Sequence, residues 1–253
     1  MIAPDPSPVS PRLRSWNLTA GVFHAVQAVL MLVLSTATSL TVAATWGTGP
    51  PGEALRSDRL REVFTYRLGP AIALFSALSA LFHLIVASPW GWPRYRRELE
   101  RHRNRFRWVE YSLSSSLMIV LIAGLVGIVD IAALLALFGV NASMILFGWL
   151  METGSDPEGR VDWTPFVFGC LAGVVPWAAI VVYLVGAETV PGFVYGIFVS
   201  LFVFFNCFAL NQWLQYRRVG PWRDYQFGER VYIVLSFVAK TLLAWQIFAN
   251  VLI

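Results

Sequence analysis

The sequence predicts an all-α fold, a bundle of seven membrane-spanning helices forming one domain over residues 1–253. Three observations carry that reading. Hydrophobic residues make up 57% of the chain and charged residues only 13%, with a mean hydropathy of +0.62. That is too apolar for a soluble domain of this length. Seven apolar segments each reach the roughly 20 residues that a helix needs to cross a hydrocarbon core. The formal net charge of +4 comes almost wholly from arginines in the links between those segments. It therefore reads as a topology signal and not as the footprint of a nucleic-acid partner.

The first segment, 16–42, follows a polar leader over residues 1–15. It is much longer than the roughly 7 to 15 residues of a signal-peptide core, so a retained helix is expected. The link that follows, 44–67, is the longest, and carries Gly47, Gly49, Pro50, Pro51 and Gly52 beside Trp46. A connection of that length is expected to hold structure of its own or to meet a partner. The remaining segments are 68–88, 106–129, 131–151, 164–187, 192–216 and 228–251. Only Asp130 separates the third from the fourth, which demands a tight helical hairpin. Pro191-Gly192 marks the turn between the fifth and sixth. Cys170 and Cys207 both fall in apolar segments and read as buried packing residues, not as a disulfide.

Arginines gather on one side of this arrangement, in the leader and in the second, fourth and sixth links. The opposite side has Arg56, Arg59, Arg61 and Arg67, all in the first link. By the positive-inside rule the amino terminus is cytoplasmic and the carboxyl terminus extracellular, in a multi-pass protein of the cell membrane. An odd helix count without broken segments or an internal repeat argues against an inverted-repeat transporter. No nucleotide loop, metal-ligand spacing or nucleophile triad is present, so an enzyme is not expected.

Lys240 lies in the middle of the seventh segment and is the only lysine in the chain. An ionised lysine at mid-membrane depth costs about 2.5 to 3.5 kcal/mol on insertion scales, so it is expected to be paired, neutralised or chemically converted. Schiff-base formation with an aldehyde is one such conversion, open to lysine and closed to arginine. Counting a rise of about 1.5 Å per residue from the segment ends places His24, His83, Glu110, Ser236 and the Lys240 nitrogen in one layer. Depth pairs Glu110 with Lys240, while Arg107, three residues earlier, offers it a local ion pair instead. Either histidine can equally be a structural hydrogen-bonding group; His83 has Ser79 one turn away. The aromatics of the later segments, among them Trp177 and Phe205, can wall a long apolar ligand or can be ordinary core.

The runs Arg107-Trp108-Val109-Glu110-Tyr111-Ser112, Phe138-Gly139-Val140-Asn141-Ala142-Ser143-Met144, Val190-Pro191-Gly192-Phe193 and Ala239-Lys240-Thr241-Leu242-Leu243-Ala244-Trp245 closely resemble the heliorhodopsins. The likeness spans nearly the whole chain and agrees with the inverted orientation. It implies all-trans retinal bound covalently to Lys240 as a protonated Schiff base, with Glu110 as counterion. Ser236, Ser79, His24 and His83 would surround the Schiff base, and Asn141, Met144, Trp177 and Phe205 would belong to the retinal site. The resemblance further implies a light sensor with a slow photocycle and no ion pumping. It implies a homodimer formed by the fourth and fifth helices and the first link, and the arginine-rich cytoplasmic face suits a soluble partner. The alternative is a light-driven proton pump or light-gated channel. A pump needs proton-exchanging groups on both sides of the Schiff base, and the third segment has no carboxylate between Glu110 and Asp130. A receptor or transporter without a chromophore is a third possibility, and it predicts no retinal-dependent colour.

Overall fold

A run of hydroxyl and β-branched residues, from Ser35 to Val42, ends the first helix early. The computed structural model describes residues 8–46, 60–155 and 160–252. In it α1 covers Arg12–Leu34 and stops there, short of the expected 16–42. Crowding at χ1 disfavours Thr and Val in a helix and suits them to a pleated strand. Ser39–Thr45 accordingly forms β1, paired antiparallel with β2 (Leu60–Arg67). Thr41 faces Thr65 across the pair with their hydroxyls 3.1 Å apart, and a bulge interrupts the register between Val42 and Ala43. The fold is thus helical with one added hairpin. An apolar run alone does not distinguish a strand from the end of a helix, which is why hydropathy overran α1. Residues 47–59, which include the Gly-Pro cluster of the first link, and residues 1–7 of the leader lie outside the described residues.

The chain continues through α2 (Leu68–Ala87), a short α3 (Gly91–Leu99) within the second link, and α4 (Arg105–Leu125). After α4 the chain turns at Gly127, whose φ of 94° favours glycine. Asp130 then caps α5 (Ile131–Gly154), accepting from the Ala132 and Ala133 amides at 2.9 and 3.0 Å. This is the expected tight hairpin. The β-hairpin docks on it, the Ala43 amide donating to the Val129 carbonyl at 2.9 Å. Next come α6 (Thr164–Gly186), α7 (Gly192–Arg217), a 3₁₀ turn over Gly220–Arg223, α8 (Tyr225–Ile247) and a closing π turn, Phe248–Leu252.

Seven of these helices, α1, α2 and α4 to α8, are long and apolar enough to cross a membrane, and the chain is a multi-pass membrane protein. Leu135 of α5, Val182 and Val185 of α6 and Val199 of α7 point outward and exposed, as contact with lipid tails requires. Cys170 also lies exposed on α6, against the expectation that it is buried, and Cys207 is half-buried; both are free thiols.

The starts of α1 and α8 share one face of the bundle, joined by the Ser10 amide donating to Gln226 Oε1 at 2.8 Å. On the opposite face, with the β-hairpin, the Thr38 hydroxyl donates to the Val251 carbonyl at 3.2 Å. Apolar side chains sort into two clusters along this axis. One fills the hairpin half with Met31, Ile72, Phe75, Ile119, Ile122, Ile180, Leu243 and Ile247. The other, at the amino-terminal face, holds Val9, Leu13, Tyr95, Leu99 and Tyr225. Between them each of α1, α2, α4 and α8 buries polar residues, and that polar layer is the site.

Candidate functional site

Lys240 reaches the polar layer from α8 and is 4% exposed. Its Nζ donates to Ser79 Oγ of α2 at 2.7 Å and to Glu110 Oε1 of α4. The Ser79 hydroxyl in turn donates to the same Glu110 oxygen at 2.9 Å. A buried ammonium and a buried carboxylate each supply what the other loses in leaving water, and the hydroxyl closes a three-membered ring of bonds between three helices. Ser236, one turn before Lys240 on α8, is fully buried beside them. His24 and His83 stack with ring centroids 5.9 Å apart, and His83 Nδ1 bonds Asn17 Oδ1 at 2.8 Å. The layer deduced from depth is therefore present, with Asn17 as an added member.

Lys240 also opens onto a cavity of about 690 Å³, within the roughly 300 to 1,000 Å³ range of small-molecule sites. Its walls are aromatic and aliphatic: Trp108, Tyr111 and Met118 from α4, Met144 from α5, Trp177 from α6, and Phe198, Phe202, Phe205 and Phe208 from α7. Trp177 meets Phe198, Phe202 and Phe205 edge to face with centroids 5.3 to 5.6 Å apart, the preferred geometry for aromatic pairs. Lining positions along α6 run from Pro165 to Val181, a span of roughly 24 Å at helical rise. The shape suits an elongated apolar ligand with one end at the lysine.

A second polar cluster lies toward the amino-terminal face, separated from Lys240 by a cavity of about 40 Å³ bordered by Asn17, His83, Glu110, Arg107 and Glu229. Arg107 does not pair with Glu110, its local candidate. It binds Glu152 near the end of α5, at 2.8 Å, and Glu229 in the second turn of α8. Its guanidinium carbon lies over the rings of Tyr232 and Trp108, 4.0 and 4.5 Å from their centroids. Glu152 also accepts from the Asn104 amide at 2.7 Å, Trp108 Nε1 at 2.6 Å and the Tyr225 hydroxyl at 2.8 Å. Asn104 caps α4 through its side-chain oxygen and gives its side-chain amide to Glu229 at 2.7 Å. Tyr95 of α3 borders the same cavity, and burial, with Glu229 adding to it, pushes its hydroxyl well above the usual tyrosine range.

Of the residues singled out from the sequence, Glu110 and Ser79 meet the Lys240 nitrogen, Ser236 is buried one turn before Lys240 on α8, and His24 and His83 stack in the same layer. Met144, Trp177 and Phe205 line the large cavity. Asn141 stands one layer behind it, donating to Ser115 Oγ at 2.9 Å and Ser116 Oγ at 3.0 Å and so joining α5 to α4. The sequence reading did not single out Asn17, Asn104, Glu152, Glu229 or Tyr225 as site residues. An available signal was charge: with Arg107 committed to the membrane interior, two carboxylates at the ends of predicted spans were its natural partners.

The family model for heliorhodopsins matches residues 13–252 of the chain. Among solved structures, the transmembrane domain and linker region of the rhodopsin phosphodiesterase from Salpingoeca rosetta superposes with a TM-score of 0.66. Sequence identity with it is 13%, over 95% of this chain and 71% of that one, so the likeness is one of fold. No curated protein matches the sequence.

Proposed function

The chain belongs to the heliorhodopsin family, and from that premise we propose a light sensor in which Lys240 carries all-trans retinal, Glu110 is the counterion and the output is a signal rather than a pumped ion. Family and fold support the retinal photoreceptor. The observation that carries the finer reading is the chain's one lysine, bonded to Glu110 and Ser79 and lining a large aromatic cavity.

The residues present fit retinal: a nucleophilic amine, a carboxylate for the charged linkage, and an apolar wall free of competing charge. Bound as a protonated Schiff base, retinal supplies visible absorption and a light-driven double-bond isomerisation. Lys240 holds the attachment point, and Trp177, Phe205 and Met144 confine the ligand. Glu110 and Ser79 stabilise positive charge at the Lys240 nitrogen through a carboxylate and a hydroxyl at bonding distance. When the nitrogen shifts, its proton moves into the region of Glu110, with His83 and His24 at hand in the adjoining layer. Separation of that charge pair changes which packing of α1, α2, α4 and α8 is preferred.

Absence of pumping rests on what flanks the nitrogen. The hairpin half of the bundle is packed with apolar side chains such as Phe75, Ile119, Ile122, Leu243 and Ile247, and α4 carries no carboxylate after Glu110. Ser236, not a second carboxylate, stands beside Lys240. The amino-terminal face, rich in arginine, is cytoplasmic by the positive-inside rule. There a soluble partner meets the helix ends, and a homodimer forms through α5, α6 and the β-hairpin. We assign the chain no enzymatic step.

The deciding experiment compares absorption of the chain and of Lys240→Ala after addition of all-trans retinal. The wild-type chain is expected to give a visible band that hydroxylamine bleaches, and Lys240→Ala none. A visible band retained by the variant overturns the assignment.

A further inference from the structure

Trp108 belongs to both halves of the site. One edge of its indole lines the cavity that reaches Lys240. Its Nε1 donates to Glu152 Oε2 at 2.6 Å, within the ion cluster. The ring has little freedom to evade a push from the cavity. On one side it lies against the backbone of α5 at Gly148, where a Cβ would come within 2.5 Å of Trp108 Cζ3. Against another face sits the Arg107 guanidinium at 4.5 Å, and the Tyr232 ring stands edge to face at 6.4 Å. A displacement of the indole is therefore passed to its N–H end.

Glu152 is poised to register such a displacement. Its two oxygens accept from four donors, and Arg107 divides itself between Glu152 of α5 and Glu229 of α8. Withdrawing the indole N–H leaves Glu152 short of a bond in a buried setting. Arg107 then has two alternatives, to draw closer to Glu152 or to turn toward Glu229. Those alternatives join α4 to α5 or α4 to α8, and two such discrete arrangements are what a transmitting element needs.

Resting on the photoreceptor reading, we infer that Trp108 is the positioning residue that carries chromophore movement to the Arg107, Glu152 and Glu229 cluster, so that the light signal leaves the bundle as a change in how the α5 and α8 ends are tied to α4. The substrate of this relay is a single hydrogen bond, from Trp108 Nε1 to Glu152, which loosens on illumination.

The test is light-minus-dark infrared spectroscopy on the full chain loaded with all-trans retinal in lipid vesicles. A carboxyl or carboxylate difference band assigned to Glu152, by its loss in Glu152→Gln, is expected in the wild-type chain. In Trp108→Phe, which also alters the cavity wall, that band is expected to fall several-fold relative to the amount of retinal isomerised in the same sample. A purely structural tryptophan would lower stability and leave that band in place. Two measurements do not depend on Trp108→Phe folding. In retinal-free wild-type protein carrying ¹⁵N-indole tryptophan, an isotope-sensitive N–H stretch is expected to move in Glu152→Gln. In the loaded wild-type chain that stretch is expected to shift with light. A Glu152 band of equal size in Trp108→Phe, an indole stretch unmoved by Glu152→Gln, or a normal photocycle with no Glu152 band overturns the relay alone. A wild-type chain with no visible band overturns the photoreceptor reading and the relay with it.

Discussion

Replacing Arg107 with Ala removes the one cation that Glu152 and Glu229 share. Both carboxylates are buried, at 2% and 1% exposure, so neither recovers solvent when the guanidinium goes. Breaking a buried ion pair by deleting one partner typically costs about 3 to 5 kcal/mol, most of it the penalty for the charge left behind. Here two charges are left, and the ring contacts of the guanidinium with Tyr232 and Trp108 are lost as well. At about 2 to 4 °C per kcal/mol for a domain of this size, Arg107→Ala is expected to lower the midpoint of thermal bleaching by roughly 6 to 20 °C. Glu152→Gln is the matched control. It removes one negative charge, keeps an oxygen for Trp108 and Asn104, and leaves Arg107 paired with Glu229, for a cost of about 1 to 2 kcal/mol. The combined variant Arg107→Ala, Glu152→Gln, Glu229→Gln should be more stable than Arg107→Ala alone, because no uncompensated charge remains. Loss of the visible band on heating, followed in lipid nanodiscs, measures all three. The reasoning fails if Arg107→Ala bleaches within a few degrees of the wild-type chain, or if adding the two glutamines makes it less stable still.

Glu110→Gln should shift the visible band of the retinal-loaded chain, because the carboxylate bonded to Lys240 is gone; an unaltered spectrum removes Glu110 from the counterion role. Gly148→Ala places a methyl where Trp108 lies and is expected to cost about 1 to 3 kcal/mol, read as a lower bleaching temperature. Trp177→Ala deletes the centre of the aromatic wall and should cost about 3 to 5 kcal/mol with weaker retinal retention; normal stability would place the ligand elsewhere. Illuminated vesicles monitored with a pH electrode should show no uncoupler-sensitive pH change, and such a change would favour a light-driven pump.

The Arg107 cluster and the Lys240 layer differ in how far they were legible beforehand. Lys240, Glu110, His24 and His83 stood out because each interrupts an apolar run, and helical rise assigns depth from a local count. Arg107 was visible too, but its partners were not: Glu152 is 45 residues away and Glu229 is 122. Depth fixes a layer without choosing which side chains within it face one another. That choice belongs to helix rotation and packing, here to the close approach of Trp108 and Gly148 between α4 and α5.

By itself the sequence determined seven spanning helices and one lysine among apolar residues, because hydropathy, length and residue type act locally along the chain. The likeness of its motifs to the heliorhodopsins gave that lysine an expected ligand. Only the tertiary structure decided that the run after Leu34 is a strand, since its pairing partner lies in β2. Only the tertiary structure turned Arg107 away from Glu110 and left that carboxylate to Lys240 and Ser79. The physical reason is the same in both cases: hydrogen bonds and buried charges are satisfied in three dimensions, by groups that sequence separation does not bring together.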